Sequence, residues 1–215
     1  STEALNPHAA AQRKRGRPKV LLARTYEEAM ELYDRYGDNA LGIISDARFP
    51  KGGAKDPEAG LKLLREIRKR DEYVPLILQS AESDNRFKAE AEGFRFVDKN
   101  SKKMDIDLRR LMEEHMGFGD FVFHDPKTGK EILRIHSLKE LQDNIFTIPN
   151  DSMLYHVSRN HMSRWLSARA IFPVSAFLKH VTWHKLQDVD AHRQIIFDAI
   201  VQYRRCPCLM PFFRM

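Results

Sequence analysis

The segment LGIISD (residues 41–46) decides the fold of this chain, because it is a short apolar run that ends in polar residues. Two later runs have the same form, VPLILQS (74–80) and FRFVDK (94–99), and VLLA (20–23) extends the pattern towards the N-terminus. A segment with helical spacing of its apolar residues follows each run. Strand–helix repeats of this kind predict a parallel sheet buried between helices on both faces. We therefore predict an α/β arrangement over residues 19–116.

The pattern changes near Gly117–Gly119. The segments FVFH (121–124) and EILRI (131–135) flank a turn sequence and predict a β-hairpin. Apolar residues then recur at helical spacing, and a long helix is predicted over residues 151–170. We divide the chain into an α/β domain (1–117), a small module with a hairpin and mostly helices (118–205) and an irregular tail (206–215).

Composition favours a globular protein of a reducing compartment. Hydrophobic residues make up 42% of the chain and charged residues 31%, and the formal net charge is +6. No run approaches the roughly 20 apolar residues that span a bilayer, and no leader peptide opens the sequence. The two cysteines, Cys206 and Cys208, offer no disulfide framework. We expect a cytoplasmic protein without a membrane partner.

Three reactive side chains stand at the ends of predicted strands: Asp46, Ser80 and Lys99. The carboxyl ends of parallel strands meet at one edge of a sheet, where functional groups collect. A carboxylate can act there as a nucleophile, while an ammonium and a hydroxyl stabilise the charge of a phosphoryl group. The sequence therefore predicts a phosphoryl-acceptor site at this edge.

With these residues the chain resembles the receiver domain of two-component response regulators. Asp46 is followed four residues later by Pro50, and Ser80 closes a strand, as the switch Ser or Thr of that family does. Lys99 follows Asp46 by 53 residues, close to the family spacing, with Phe96 three residues before it. The resemblance implies that Asp46 is the phosphoacceptor, that Ser80 and Lys99 stabilise the phosphoryl group, and that Phe96 is the switch aromatic.

The resemblance covers roughly residues 1–116 and implies a flavodoxin-like sheet in the strand order 2-1-3-4-5. It also implies a non-enzymatic, phosphorylated protein of a bacterial signal-transduction phosphorelay. Its partners would be a sensor histidine kinase or another phosphodonor, and an attached or separate output domain. The competing interpretations are a DNA-binding protein and a docking fragment of a larger enzyme.

One part of the receiver pattern does not occur within the 215 residues. Receivers hold Mg²⁺ with an acidic pair at the end of the first strand, and in this alignment Val20–Ala23 is the second strand. Asp46 is then the single metal ligand, so we expect that Mg²⁺ does not bind tightly to this chain and that small phosphodonors do not phosphorylate it appreciably. Asn100 also replaces the proline that usually follows the lysine, so a cis peptide is not expected after Lys99.

The second module resembles, more loosely, a segment that follows a receiver-like region in bacterial proteins related to phosphoenolpyruvate synthase. The residues that carry this resemblance lie in 118–121, 148–152 and 155–169. It implies a non-catalytic docking or regulatory fragment whose catalytic parts lie elsewhere.

Nucleic-acid binding is the alternative that the basic segment Arg13–Lys19 suggests. The core Arg15-Gly16-Arg17-Pro18 is flanked by Lys14 and Lys19 and could lie extended in an A·T-rich minor groove. A single copy of this motif is weak evidence for DNA binding, and a solvated loop is the simpler interpretation of the segment. Nucleic acid is therefore not the expected partner.

Two pairs of histidines are candidate metal ligands by their spacing in the sequence. His180 and His184 share a helix face, but Val181 stands where a zinc protease has glutamate. His156 and His161 are five residues apart, a poor chelating step on a helix. We expect surface or hydrogen-bonded histidines and no metal.

Overall fold

A computed structural model describes residues 18–183 and 188–205 of the chain. The described residues form two compact units, Lys19–Met116 and a second unit that begins at Gly117. The fold is mixed α/β, with one parallel sheet and two small antiparallel hairpins, which confirms the predicted fold class at this level. Within the described ranges, no helix has the length and apolar character needed to cross a membrane.

The Lys19–Met116 unit alternates strands and helices. Its elements are α1 (Tyr26–Tyr36), β1 (Ile43–Asp46), β2 (Phe49–Lys51), β3 (Ala54–Asp56), α2 (Ala59–Arg70), β4 (Leu76–Ser80), α3 (Asp84–Ala91), β5 (Arg95–Asp98) and α4 (Met104–His115). The parallel sheet has the order β1–β4–β5, and β2 and β3 form an antiparallel hairpin. The three predicted strands at 41–46, 74–80 and 94–99 are thus confirmed.

The central strand β4 is buried on both faces. Leu76 and Leu78 pack into one apolar cluster with residues of α2, whereas Ile77 packs into another with Leu111 of α4. Successive side chains of a strand point to opposite faces, so a continuous apolar run such as this one fits only a sheet that is covered on both sides.

Val20–Ala23 does not form the predicted strand. The segment has no regular secondary structure, with Val20 93% and Leu22 72% exposed. A strand is stable when its N–H and C=O groups pair with a neighbour. Within the described residues, this segment pairs with no other strand.

The segment after β1 forms a short hairpin of β2 and β3. Gly52 and Gly53 connect β2 to β3 with φ of 60° and 80°. Two consecutive residues with positive φ make the tight turn that suits the twist of a hairpin, and glycine adopts this conformation without strain.

The second unit contains one hairpin and five helices within the described residues. These elements are β6 (Phe121–His124), β7 (Glu131–Ile135), α5 (Leu138–Asn144), α6 (Asn150–Ser158), α7 (His161–Ala168), α8 (Phe172–His180) and α9 (Val189–Arg205). Strands β6 and β7 confirm the β-hairpin predicted from segments 121–124 and 131–135. Its inward side chains, Phe121, Phe123 and Ile135, join an apolar core that includes Trp165 and Ile200.

The single long helix predicted over residues 151–170 is wrong, because α6 and α7 are separate. The chain breaks at Asn160, whose φ of 57° lies in the left-handed region. A left-handed residue cannot continue an α-helix, and asparagine tolerates this conformation better than most residues. After the break, Trp165 of α7 donates a hydrogen bond from Nε1 to the carbonyl oxygen of Gly119 at 3.2 Å.

Candidate functional site

The three predicted site residues stand at one edge of the parallel sheet. Asp46 ends β1, Ser80 ends β4 and Lys99 follows β5 directly. The register places Asp46 beside Gln79, and the backbone N–H of Lys99 donates to the carbonyl oxygen of Ser80 at 3.0 Å. The parallel direction of the strands therefore brings all three residues to the same rim.

Asp46 and Lys99 form an ion pair across the end of the central strand. Nζ of Lys99 lies 2.7 Å from Oδ1 of Asp46, although the ammonium does not meet this oxygen in a well-directed hydrogen bond. The side chains are 43% and 36% exposed, whereas Oδ1 itself is buried. The accessible part of the carboxylate is therefore on the side of Oδ2, which leaves one oxygen open to a reactant while the other faces a cation.

Ser80 is buried beside this pair and makes its contacts with residues that follow it. Its Oγ accepts hydrogen bonds from Nδ2 of Asn85 at 2.9 Å and from the backbone N–H of Glu82 at 3.1 Å. Both lone pairs are then used, and the hydroxyl hydrogen remains to be donated. Among the described contacts, no hydrogen bond joins the hydroxyl of Ser80 to the side chain of Asp46 or Lys99.

Ser80→Ala is expected to cost more stability than Asp46→Asn. The alanine would leave the buried amide of Asn85 and the N–H of Glu82 without their acceptor, which costs roughly 1–3 kcal/mol. The Asp46–Lys99 pair is more than one-third exposed, so its loss costs less than about 1 kcal/mol. Chemical denaturation of the two variants beside the parent protein measures both losses. The reverse order would show that the ion pair, rather than the hydroxyl, holds this edge together.

Phe96 lies on β5, with its ring half-buried against the cluster that contains Leu78. The guanidinium of Arg86 on α3 stands 4.7 Å from the centre of the ring. Phe96 thus links β5 to α3, and its role as a switch aromatic stays a prediction.

The donor set at this rim does not fit Mg²⁺. No group of three or more His, Cys, Asp or Glu side chains is arranged to hold a metal within residues 18–183 and 188–205. Mg²⁺ requires several oxygen ligands in octahedral geometry. Oδ1 of Asp46 faces Lys99, and the nearby Glu82 is paired with Arg48 at 2.8 Å.

Gly60, which the sequence reading did not single out, sets the position of Asp46. It lies in the first turn of α2, and its backbone N–H donates to the carbonyl oxygen of Ala47 at 3.0 Å. A Cβ at this position would lie 2.0 Å from the carbonyl oxygen of Asp46. The helix can therefore pack onto the end of β1 because residue 60 has no side chain. An isolated glycine inside a helical pattern was the available signal.

In the second unit, two histidines whose five-residue spacing is a poor chelating step are in contact with each other. Nδ1 of His156 and Nδ1 of His161 are 3.0 Å apart, because the chain turns at Asn160 between their helices. The backbone N–H of His124 donates to Nε2 of His156 at 3.2 Å. Nε2 is thus an acceptor, so neutral His156 carries its hydrogen on Nδ1 and donates it to His161. Burial lowers the pKa of His156 to about 3.

Some of the predicted site residues lie outside the described part of the chain. These are Arg15 and Arg17 of the basic segment, His184, and both cysteines of the tail. Lys19 is described and exposed. Nucleic-acid binding by the basic segment therefore stays a prediction.

Comparison with known proteins identifies no relative: no family model, curated protein or solved structure matches the chain. A functional assignment rests on the geometry of the rim.

Proposed function

We propose that the Lys19–Met116 unit is a flavodoxin-like, receiver-type regulatory domain in which Asp46 accepts a phosphoryl group. The observation that supports this proposal is the ion pair between Asp46 and Lys99, at 2.7 Å, at the carboxyl edge of a parallel sheet that also ends in Ser80. The pair joins residues from two strands that are not hydrogen-bonded to each other. It contributes little to stability, so a role in binding charge accounts better for its position.

The proposed chemistry uses each side chain at a defined atom. The accessible carboxylate oxygen of Asp46 attacks the phosphorus of a phosphodonor, and the bond from phosphorus to the leaving group breaks as the acyl phosphate forms. The ammonium of Lys99 moves from the carboxylate to the phosphoryl oxygens. Ser80 donates its free hydroxyl hydrogen to one of those oxygens. In this proposal the donor is a sensor histidine kinase, and the signal passes to an attached or separate output domain.

Charge neutralisation limits the reaction. A phosphodonor carries negative charge towards a carboxylate, and Lys99 supplies a single compensating cation. The described residues do not provide the acidic cluster that would hold a divalent cation. We therefore expect phosphorylation of Asp46 to require a further strand that carries such acids beside β1, and the chain without it to behave as a degenerate receiver.

The test adds this strand. An N-terminal extension supplies an apolar strand that ends in two aspartates, joined to Ser1 by a short loop, and the protein is incubated with acetyl phosphate and Mg²⁺. Intact-mass spectrometry with peptide mapping is expected to show phosphorylation of Asp46 in the extended protein, at least roughly tenfold above the parent chain.

The matched controls are the same extension with two asparagines and the extended protein with Asp46→Asn; both are expected to show no phosphorylation at residue 46 above that of the parent chain. Hydrogen exchange of the amides of Leu21 and Leu22 reports whether the added strand has paired. Protection of these amides without phosphorylation of Asp46 would overturn the phosphoacceptor role. Equal phosphorylation of the parent chain would overturn the requirement for the acidic strand.

A further inference from the structure

The hydroxyl of Ser80, at the end of β4, receives two hydrogen bonds and donates none among the described contacts. The backbone N–H of Glu82 donates to its Oγ at 3.1 Å, and Nδ2 of Asn85 donates to it at 2.9 Å. A serine oxygen has two lone pairs and one hydrogen, so these bonds use its whole accepting capacity. The hydroxyl hydrogen takes the remaining direction, away from both donors. Ser80 can therefore act only as a donor towards a ligand at this rim of the sheet.

A neighbouring carboxylate fixes the direction of the Asn85 amide. Asn85 lies in the first turn of α3 and is buried, and its Nδ2 also faces Oε2 of Glu82 at 3.4 Å. A carboxylate only accepts hydrogen bonds, so the NH2 group of the amide, rather than its oxygen, faces both Glu82 and Ser80. The reversed amide would set two acceptors against each other at Glu82. It would also let the Ser80 hydroxyl donate to the amide oxygen instead of to a ligand.

We infer that Asn85 is a positioning residue that keeps the Ser80 hydroxyl a donor, so that Ser80 and Lys99 together select a ligand with acceptor oxygens, an oxyanion such as a phosphoryl group. Lys99 also supplies donors only, because an ammonium has three N–H groups and no lone pair. A ligand hydroxyl or amine that needs an acceptor finds none on either side chain. The inference rests on the proposed function, in which these two donors receive the phosphoryl oxygens while Asp46 is the nucleophile.

The direction of the bond between Asn85 and Ser80 separates a positioning role from a structural one. A structural role is met by a hydrogen bond in either direction, whereas positioning requires that Asn85 donates. The double variant Glu82→Gln with Asn85→Asp reverses the bond at unchanged net charge. The introduced carboxylate only accepts, so the Ser80 hydroxyl is expected to donate to it. Glu82→Gln alone is the matched control, since it retains Asn85 and loses the exposed ion pair with Arg48.

Proton NMR of the Ser80 hydroxyl tests the direction of this bond. In the parent protein and in Glu82→Gln, the hydroxyl proton is expected to exchange with water too fast to give a resonance, because it is donated to no protein acceptor. In the double variant it is expected to exchange slowly and to give a resolved resonance. A slowly exchanging Ser80 hydroxyl proton in the parent protein would overturn the inference, and this measurement requires no variant to fold.

Phosphorylation by acetyl phosphate and Mg²⁺ tests the consequence for the ligand, in the protein that carries the added acidic strand. The double variant is expected to modify Asp46 at least roughly tenfold more slowly than Glu82→Gln and the unsubstituted extended protein, because one donor to the phosphoryl oxygens is lost. Equal rates, with the hydroxyl shown to be reversed, would overturn the role of Asn85.

Failure of the proposed function gives a different result. If no extended protein is phosphorylated at Asp46, the phosphoacceptor role and the oxyanion ligand are both overturned. The exchange rate of the Ser80 hydroxyl proton in the parent protein still decides whether Asn85 fixes the direction of that hydroxyl.

Discussion

Acidification from pH 7 to pH 5 is expected to lower the free energy of unfolding by roughly 2 kcal/mol through His156 alone. Burial lowers the pKa of His156 to about 3 in the folded protein, from 6.5 for an accessible histidine. Between these two values, the unfolded chain binds a proton that the folded chain does not bind. This stabilising contribution of His156 is complete above pH 6.5 and is lost progressively as the pH falls. The accumulated loss reaches roughly 4–5 kcal/mol near pH 3.

Urea denaturation of the parent protein and of His156→Gln at several pH values between 5 and 7 measures this effect. The variant is expected to have a shallower dependence of unfolding free energy on pH, whatever its stability at pH 7. His180→Gln, at an exposed histidine, is the control and is expected to retain the parent slope. Equal slopes in all three proteins would contradict the prediction. A proton NMR titration of the His156 ring, expected to show no protonation above pH 4, tests it without a variant.

Gly60→Ala is expected to destabilise the Lys19–Met116 unit by roughly 2 kcal/mol. Its Cβ would lie 2.0 Å from the carbonyl oxygen of Asp46 and 3.0 Å from Cα of Ala47, and both atoms belong to the backbone. Backbone atoms cannot avoid the clash by changing rotamer as a side chain can, so α2 or the end of β1 must move. The better helix propensity of alanine offsets only about 1 kcal/mol of the cost. The displacement is also expected to separate Asp46 from Lys99.

Chemical denaturation gives the stability of the Gly60→Ala variant, and the amide chemical shift of Asp46 reports the displacement. Gly42→Ala is the matched control, because the three atoms nearest to its new Cβ all belong to the side chain of Met116. Methionine is flexible and can rearrange, so this loss is expected to stay below about 1 kcal/mol. A Gly60→Ala protein as stable as the parent would show that the helix does not need this close approach.

Sequence patterns predicted the elements that depend on local composition. The three strands of the parallel sheet were identified because each is a short apolar run with β-branched or aromatic residues, and the hairpin Phe121–Ile135 because a turn sequence separates two alternating segments. The sequence patterns gave wrong predictions where the structure of a segment depends on residues that are distant in the sequence. Val20–Ala23 has the composition of a strand but pairs with no strand among residues 18–183 and 188–205, and the helix predicted over 151–170 breaks at Asn160.

Some residues of the candidate site were likewise predicted from the sequence, and others were identified only in the structure. The order of the strands and the polar residues at their ends predict Asp46, Ser80 and Lys99 from the sequence alone. Gly60 and Asn85 were missed, because their roles consist of contacts with the ends of β1 and β4 that no short motif records. The contact between His156 and His161 was not predicted, because it depends on the turn of the chain at Asn160 between their helices.

The sequence by itself determined which segments become strands and which reactive groups stand at their ends, because both follow from the order of apolar and polar residues along a few positions. Only the tertiary structure decided the 2.7 Å approach of Lys99 to Asp46, the burial that keeps His156 neutral and the close approach of Gly60 to the end of β1. Each of these depends on which distant segments pack together, and packing is a property of the whole folded unit rather than of any local pattern.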